Sequence, residues 1–173
     1  MKELKLALVG FGNVGKALVR LLETKRASLN RDFDINTKVV AIATGRHGSA
    51  LDPIGINIEK AIDFCESGRS LDELSSSARP DSVMELIHTC GADVLFENSP
   101  VNHHSGQPAI DHVKAALQAG MHVITANKGP VAHAYDELTR LAQKQGRRFL
   151  FESAVMDGAP IFSLFRGSLP AVE

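Results

Sequence analysis

LKLALVGFGNVG, residues 4–15, passes from a short apolar run straight into Gly10-Phe11-Gly12-Asn13-Val14-Gly15. A GxGxxG pattern therefore stands where a first strand hands over to a first helix. The three glycines serve different ends. Gly10 permits the tight turn, Gly12 lets backbone N–H groups approach a pyrophosphate with no Cβ in the way, and Gly15 lets helix and strand pack closely. The phosphates then rest on the positive end of the helix. Val14, Ala17, Leu18, Leu21 and Leu22 follow at helical spacing, which predicts an apolar stripe lying on a sheet. The alternative is a glycine-rich β–α turn with no ligand; the strand before the motif and the amphipathic helix after it favour the dinucleotide site.

Outward from that turn, the 173 residues suit one compact domain able to bury a core. With 19 basic and 20 acidic residues the formal net charge is -1, so the composition makes no electrostatic case for nucleic acid or an anionic membrane. Cys65 and Cys90 lack metal or CxxC spacing and predict reduced thiols in a cytoplasmic protein. Met1 is followed by charged residues, with neither a signal-peptide core nor an apolar run long enough to span a bilayer, so the expectation is a protein that is soluble and unsecreted.

Short β-like runs alternate with helical segments, the pattern of an α/β, doubly wound, mainly parallel Rossmann sheet with helices on both faces. Strands are predicted at Lys5–Val9, Lys38–Ala43, Asp93–Glu97, His122–Thr125 and Arg148–Glu152. Helices are predicted at Gln107–Gln118 and Val131–Lys144, the latter aligning Val131, Tyr135, Leu138 and Leu141. Gly120 and Gly146 stand where C-terminal caps belong, and Pro80-Asp81 opens a further helix through Ile87. Gly45–Asn57 and Ser67–Arg79 read as loop, with a short helix at Glu59–Glu66 between them.

The residues after the second strand select the dinucleotide, since a carboxylate there binds a ribose 2′-OH and a cation accommodates a 2′-phosphate. Thr44-Gly45-Arg46-His47 offers no acid at the strand tip, and Arg46 is placed to stack on adenine or pair with the phosphate. NADP is therefore expected ahead of NAD, with Asp52 as an NAD-type acceptor if it bends back. Farther on, Glu97-Asn98-Ser99-Pro100 and Ala126-Asn127-Lys128 follow predicted strands. Ligands in a doubly wound sheet occupy the crevice outside the carboxyl ends of the strands, so Ser99 and Lys128 should face the cleft of Gly10–Gly15.

These segments together resemble homoserine dehydrogenase, whose cofactor domain carries GxGxxG, a strand ending in Glu before a Thr/Ser-Pro turn, and a segment like Thr125-Ala126-Asn127-Lys128-Gly129-Pro130. Glu152–Ile161 is similar to the family's EATVGGGxPI stretch, so the resemblance runs along almost the whole chain. It implies nicotinamide-dependent interconversion of homoserine and aspartate 4-semialdehyde, on the route to threonine and methionine, in a homo-oligomeric parent enzyme. It implies that Gly10, Phe11, Gly12, Asn13, Val14, Gly15, Arg46, Asn98, Ser99, Pro100, Ala126, Asn127 and Lys128 hold the cofactor, with Lys128 also catalytic. A monovalent cation such as sodium is implied on backbone oxygens of Glu152, Val155, Asp157 and Ala159, although Met156-Asp157-Gly158 is less glycine-rich than the family pattern. Read without the family, that stretch is a strand leading into a short helix at Ile161–Phe165.

The resemblance also implies a substrate and dimerisation domain that residues 1–173 do not supply, so the chain is expected to be a single nucleotide-binding domain, inactive alone. A stand-alone NAD(P)-binding redox sensor and the cofactor domain of another amino-acid dehydrogenase are the alternatives. The seven histidines, His103-His104 included, lack the i, i+4 pairing of a helical metal site and are expected in surface or local hydrogen-bonding roles. Cys90 before Gly91 reads as a small buried residue at a helix end, without a nucleophile's setting.

Overall fold

Along residues 4–9 every side chain is destined for one helical layer or the other, because a central parallel strand is covered on both faces. In the computed structural model, which describes residues 2–156 together with Ala159 and Leu164, β1 (Lys2–Val9) divides in this way. Leu6 and Leu8 pack into one apolar cluster and Ala7 and Val9 into the other. The first cluster lies beneath α1 (Asn13–Phe33) and α2 (Ile58–Glu66), where Val19, Ala61 and Phe64 are buried. The second lies beneath α3 (Val83–Thr89), α4 (Ala109–Gln118) and α5 (Lys128–Lys144), through Leu86, Val113 and Leu138.

The sheet has six strands in the order β3-β2-β1-β4-β5-β6. Strands β2 (Ile35–Ala43), β4 (Val94–Glu97), β5 (His122–Thr125) and β6 (Phe149–Leu150) join β1 in a parallel set, each neighbour paired in parallel. The expected Rossmann architecture is present. Its antiparallel edge was not expected: β3 (Ser49–Leu51) lies in the predicted loop 45–57 and pairs back onto β2, Ala43 beside Ser49 and Ala41 beside Leu51. Three residues carry no periodicity to read, and the hairpin depends on Gly48 at φ 72° and on a tie from outside: Ser49 N–H donates to Asp72 Oδ1 at 2.9 Å. Asp72 belongs to a 3-10 turn, Leu71–Leu74, in the other predicted loop; Leu71 is fully buried there.

Two helices differ from their sequence patterns. The inward side of α1 carries buried Gly15 and Val19 with half-buried Leu18 and Leu22, whereas Val14, Ala17 and Leu21, predicted on the sheet, are exposed, Val14 and Leu21 at 55% and 54%. Two apolar rows compete on this helix, and the glycine decides, because only Gly15 can lie against the preceding turn. The last long helix begins at Lys128, three residues ahead of the predicted Val131, since the Asn127 side chain caps it by accepting from Gly129 N–H at 2.9 Å. Lys128 is therefore the first residue of a helix and not part of a loop. Within α5 Leu138 is buried, Val131 and Leu141 are half-buried, and Tyr135 is exposed along one side while its ring stands edge-on to Phe151 at 5.5 Å.

The remaining elements sit close to expectation. Ser82 opens α3 by accepting from Glu85 N–H at 3.1 Å while Glu85 Oε2 accepts from Asp81 N–H at 2.6 Å, and Gly120 and Gly146 close their helices at φ 83° and 62°. The fifth predicted strand is shorter, ending at Leu150, and the chain turns into α6 (Ser153–Met156). Cys90 is buried at the end of α3, where desolvation pushes its thiol pKa up.

Candidate functional site

The strands β1, β2, β4 and β5 stop together: Val9 pairs with Ala43 on one side and Glu97 on the other, and Glu97 pairs with Thr125. The turns that follow emerge side by side at the carboxyl edge, the place where an open α/β sheet binds ligands. Gly10 is what lets them do so. Its φ is 92°, and a Cβ on it would overlap the Asn98 carbonyl and Ser99 nitrogen, so this glycine serves the close approach of two turns as well as the bend of its own. A Cβ on Gly15 would stand 2.8 Å from the Gly10 oxygen and 3.3 Å from the Phe11 ring, which shows that Gly15 lets α1 close against its own turn.

Gly12 differs from both. A Cβ there would meet nothing within 4 Å, so it would project into the open cleft in front of α1. That helix starts without a side-chain cap and with no acidic residue in its first turn. Its leading N–H groups and positive dipole end are left for an anion from outside, and the residues present fit a pyrophosphate.

The cleft holds about 500 Å³ and runs from Gly10–Asn13 to the loop Thr44–His47. Beyond Asn98 lies a smaller cavity of about 180 Å³ bounded by Val14, Ser99, Val101 and Ala126–Lys128. Asn98 and the backbone beside it border both spaces, and its buried side-chain nitrogen has no hydrogen-bond partner among the described residues. A donor buried without a partner is costly, and a polar ligand atom passing from one space to the other would satisfy it. The expected cofactor residues divide between the two: Gly10, Phe11, Gly12, Asn13, Arg46 and Pro100 line the cleft, Val14, Ser99, Ala126, Asn127 and Lys128 the smaller cavity, and Gly15 shapes the turn behind them.

Arg46 is exposed on a loop that is itself firmly tied: Thr44 Oγ1 accepts from His47 N–H at 2.7 Å and Thr44 N–H donates to the Gly48 carbonyl at 2.9 Å. The Ser49 N–H, with the Ser70 hydroxyl and the Arg79 guanidinium, holds the Asp72 carboxyl below the usual range against the opposing effect of burial. Asp52 does not bend back to the cleft; it follows β3 and its carboxylate accepts from Ile54 N–H at 2.9 Å. Five residues of the cleft lining were not among the expected cofactor residues: Thr44 and Gly45, in the loop beside Arg46, and Lys16, His47 and Cys65. Lys16 follows the last glycine directly and pairs with Glu66 at 3.3 Å, His47 adjoins Arg46, and Cys65 arrives from α2, with its thiol pKa raised by burial and partly restored by the Lys16 charge. Lys16 and His47 carried a signal in their adjacency to named residues; Cys65 carried none, because nothing local tells which face of α2 meets the cleft.

Away from the cleft, three histidines make local contacts. His122 Nδ1 accepts from Arg148 N–H at 3.0 Å, His133 meets the His103 carbonyl at 2.9 Å, and His112, buried on α4, faces Glu97 at 3.6 Å. Of the four carbonyl donors implied for a cation, Glu152 is in the turn before α6 and Val155 within that helix, while Asp157 lies outside the described residues, as do all of Ile161–Phe165 except Leu164.

The model of the domain described as "Homoserine dehydrogenase, NAD binding domain" matches residues 10–152, which span every turn of this cleft. The chain belongs to the homoserine dehydrogenase family. Homoserine dehydrogenase of Methanocaldococcus jannaschii is 36% identical over 166 residues, covering 96% of this chain and 49% of that protein. The NAD(+)-dependent homoserine dehydrogenase of Pseudomonas canavaninivorans is 32% identical, covering 98% and 48%. A hyperthermophilic archaeal homoserine dehydrogenase solved in complex with NADPH superposes with a TM-score of 0.77 at 29% identity, covering 95% of this chain and 48% of that one. The chain thus spans about half the length of the homoserine dehydrogenases it matches. As a homoserine dehydrogenase cofactor domain it is an NAD(P)-binding Rossmann unit of an oxidoreductase family, and among its described residues no helix is long and apolar enough to cross a membrane.

Proposed function

We propose that this chain is the nicotinamide-dinucleotide-binding half of an enzyme interconverting L-homoserine and L-aspartate 4-semialdehyde, with NADP preferred over NAD. The observation that carries this is the meeting of three strand-end turns around two adjoining spaces at an uncapped helix N-terminus. Gly12 and the first turn of α1 would hold the pyrophosphate. Arg46 and His47, with no acid beside them in the Thr44–His47 wall, favour a 2′-phosphate. Asn98, Ser99 and Asn127 would border the nicotinamide end.

When bound, the nicotinamide accepts or returns the hydride of the substrate carbon. Lys128, the first residue of α5, borders the smaller cavity, and its ammonium makes that wall a positive locus. That locus orients the substrate and stabilises oxyanion character as the hydride moves. Groups that hold the amino acid are proposed to lie in the half of its relatives that this chain does not span, in a homo-oligomeric cytoplasmic parent; two free cysteines support the reducing compartment. Monovalent-cation binding at Glu152, Val155, Asp157 and Ala159 rests on the resemblance, and a sodium titration of cofactor affinity tests it.

Calorimetric titration of the 173-residue chain should show saturable binding of NADP(H), tighter than NAD(H); a folded sample that binds neither overturns the proposal. With homoserine and NADP the chain alone should turn over negligibly, because misplacing substrate by about an ångström costs on the order of a hundredfold. Robust turnover abolished by Lys128→Ala would show that these residues hold or assemble a complete active site.

A further inference from the structure

Glu97, the last residue of β4, is a fully buried acid. Burying a carboxylate is expensive unless donors surround it; the hydrogen-bond donors to Glu97 come from Ser99 and Thr125, beside the smaller cavity, while the buried His112 ring on α4 faces its Oε1 from the other side at 3.6 Å. Its Oε1 accepts a very short bond from the Ser99 hydroxyl and one from the Ser99 N–H at 3.2 Å. The Thr125 hydroxyl, across the strand pair, donates to the Glu97 carbonyl at 2.9 Å and lies 3.3 Å from Oε2. Thr125 Oγ1 in turn accepts from Asn127 N–H at 3.0 Å. The Asn127 side chain then donates to the Ser99 carbonyl at 3.0 Å and accepts from Gly129 N–H at 2.9 Å.

The bonds close a ring: Glu97 to Ser99, Ser99 to Asn127, Asn127 to Thr125, and Thr125 back to Glu97. The ring joins the turn after β4 to the first turn of α5, so Ser99, Asn127 and the neighbouring Lys128 keep one mutual geometry. The adenosine side of the cleft, from Gly12 to Arg46, has no part in it. Buried networks of this kind fix geometry when fully connected.

We infer that Glu97 is a positioning residue for the nicotinamide end of the cofactor site, acting through Ser99, Thr125 and Asn127 and touching no cofactor itself. This rests on the dinucleotide-binding function proposed above. It makes Glu97 matter to a ligand that carries the nicotinamide ring and indifferent to one that lacks it.

The test compares NADP with 2′-phospho-ADP-ribose, the same molecule without nicotinamide, by calorimetric titration of the 173-residue chain. Glu97→Leu keeps the volume and removes both oxygens. It should weaken NADP on the order of tenfold, the scale of losing charge-assisted hydrogen bonds, and leave the ring-free ligand within about twofold. Glu97→Gln can keep its oxygen on Ser99 and turn its amide toward Thr125 Oγ1, so it should restore most of the affinity. Thr125→Val cuts the ring while leaving the carboxyl itself in place and should move NADP the same way by a smaller factor; it carries the test should Glu97→Leu fail to fold. Equal losses for both ligands would mark Glu97 as merely structural and overturn the inference, as would unchanged NADP affinity in folded Glu97→Leu or Thr125→Val. A Glu97→Gln variant as weak as Glu97→Leu would also overturn it. Wild-type chain that binds neither ligand overturns the functional proposal itself, which separates the two failures.

Discussion

The two ends of the cleft are built on opposite plans. Toward the loop after β2 the walls are backbone and exposed cation: an uncapped helix terminus, Gly12 facing open space, and Arg46 on a tied but solvent-facing loop. Beyond Asn98 the walls are backed by a closed ring of hydrogen bonds, in which Glu97, Thr125 and Asn127 are all at or below 5% exposure. A phosphate needs only charge and N–H donors, which any glycine turn at a helix terminus provides. A ring that exchanges hydride must be held to a fraction of an ångström, and only a packed network does that.

The largest way to break this contrast is at the hinge between the two plans. Gly10→Ala would force a Cβ into the Asn98 backbone at positive φ, so stability should fall by about 3 kcal/mol or more in denaturant titration. Binding at both ends should be lost together; an intact fold with binding lost at one end alone would contradict the close approach. Gly12→Val should do the reverse. Its side chain enters free space, so the melting temperature should hold while NADP and 2′-phospho-ADP-ribose each weaken on the order of a hundredfold, since both carry the pyrophosphate.

Arg46→Ala sharpens the adenosine side alone. NADP affinity should drop on the order of tenfold with NAD nearly unchanged, as expected for one charge-assisted phosphate contact; equal losses would remove Arg46 from the 2′-phosphate. The smallest effect expected is in pH dependence. Asp72, which ties β3 beside the Thr44–His47 loop, has its carboxyl pKa held low chiefly by the Ser49 N–H, so it adds stability above the unfolded value of about 3.9 that is lost as pH falls through the folded value. His122, on β5, has its pKa lowered by burial and then by Arg147 and Arg148. The unfolded chain therefore binds its proton first, and stability should begin to fall below about pH 6.5 on acidification. Denaturant titrations from about pH 3 to about pH 8 should show the upper step vanish in His122→Gln and the lower one shrink in Asp72→Asn. Persistence of the upper step in His122→Gln would assign it to another group.

Along the chain, the segments read correctly were those whose signal is local. The glycine turn, the capping glycines Gly120 and Gly146, and the strand ends before Asn98 and Ala126 depend on neighbours a few residues away. The misplaced features have distant causes. Strand β3 needs Asp72, 23 residues beyond Ser49, and Val14 and Leu21 are exposed because Gly15 turns α1 onto its other row. Glu97 was visible as the acid ending a strand, but its bonds to Thr125 span 28 residues and no pattern in one sequence announces them.

By itself, then, the sequence determined the alternation of strands and helices, the position of the glycine turn and the family, because these rest on hydrophobic period, glycine stereochemistry and contiguous motifs. The tertiary structure decided which row of α1 is buried, where the antiparallel edge forms and how an acid on β4 holds residues after β5. Each of these is a contact between segments far apart in the chain. Such a contact forms only when the whole sheet has brought its strand ends into register, and the burial that makes Glu97 demand hydrogen-bond partners exists only once that has happened.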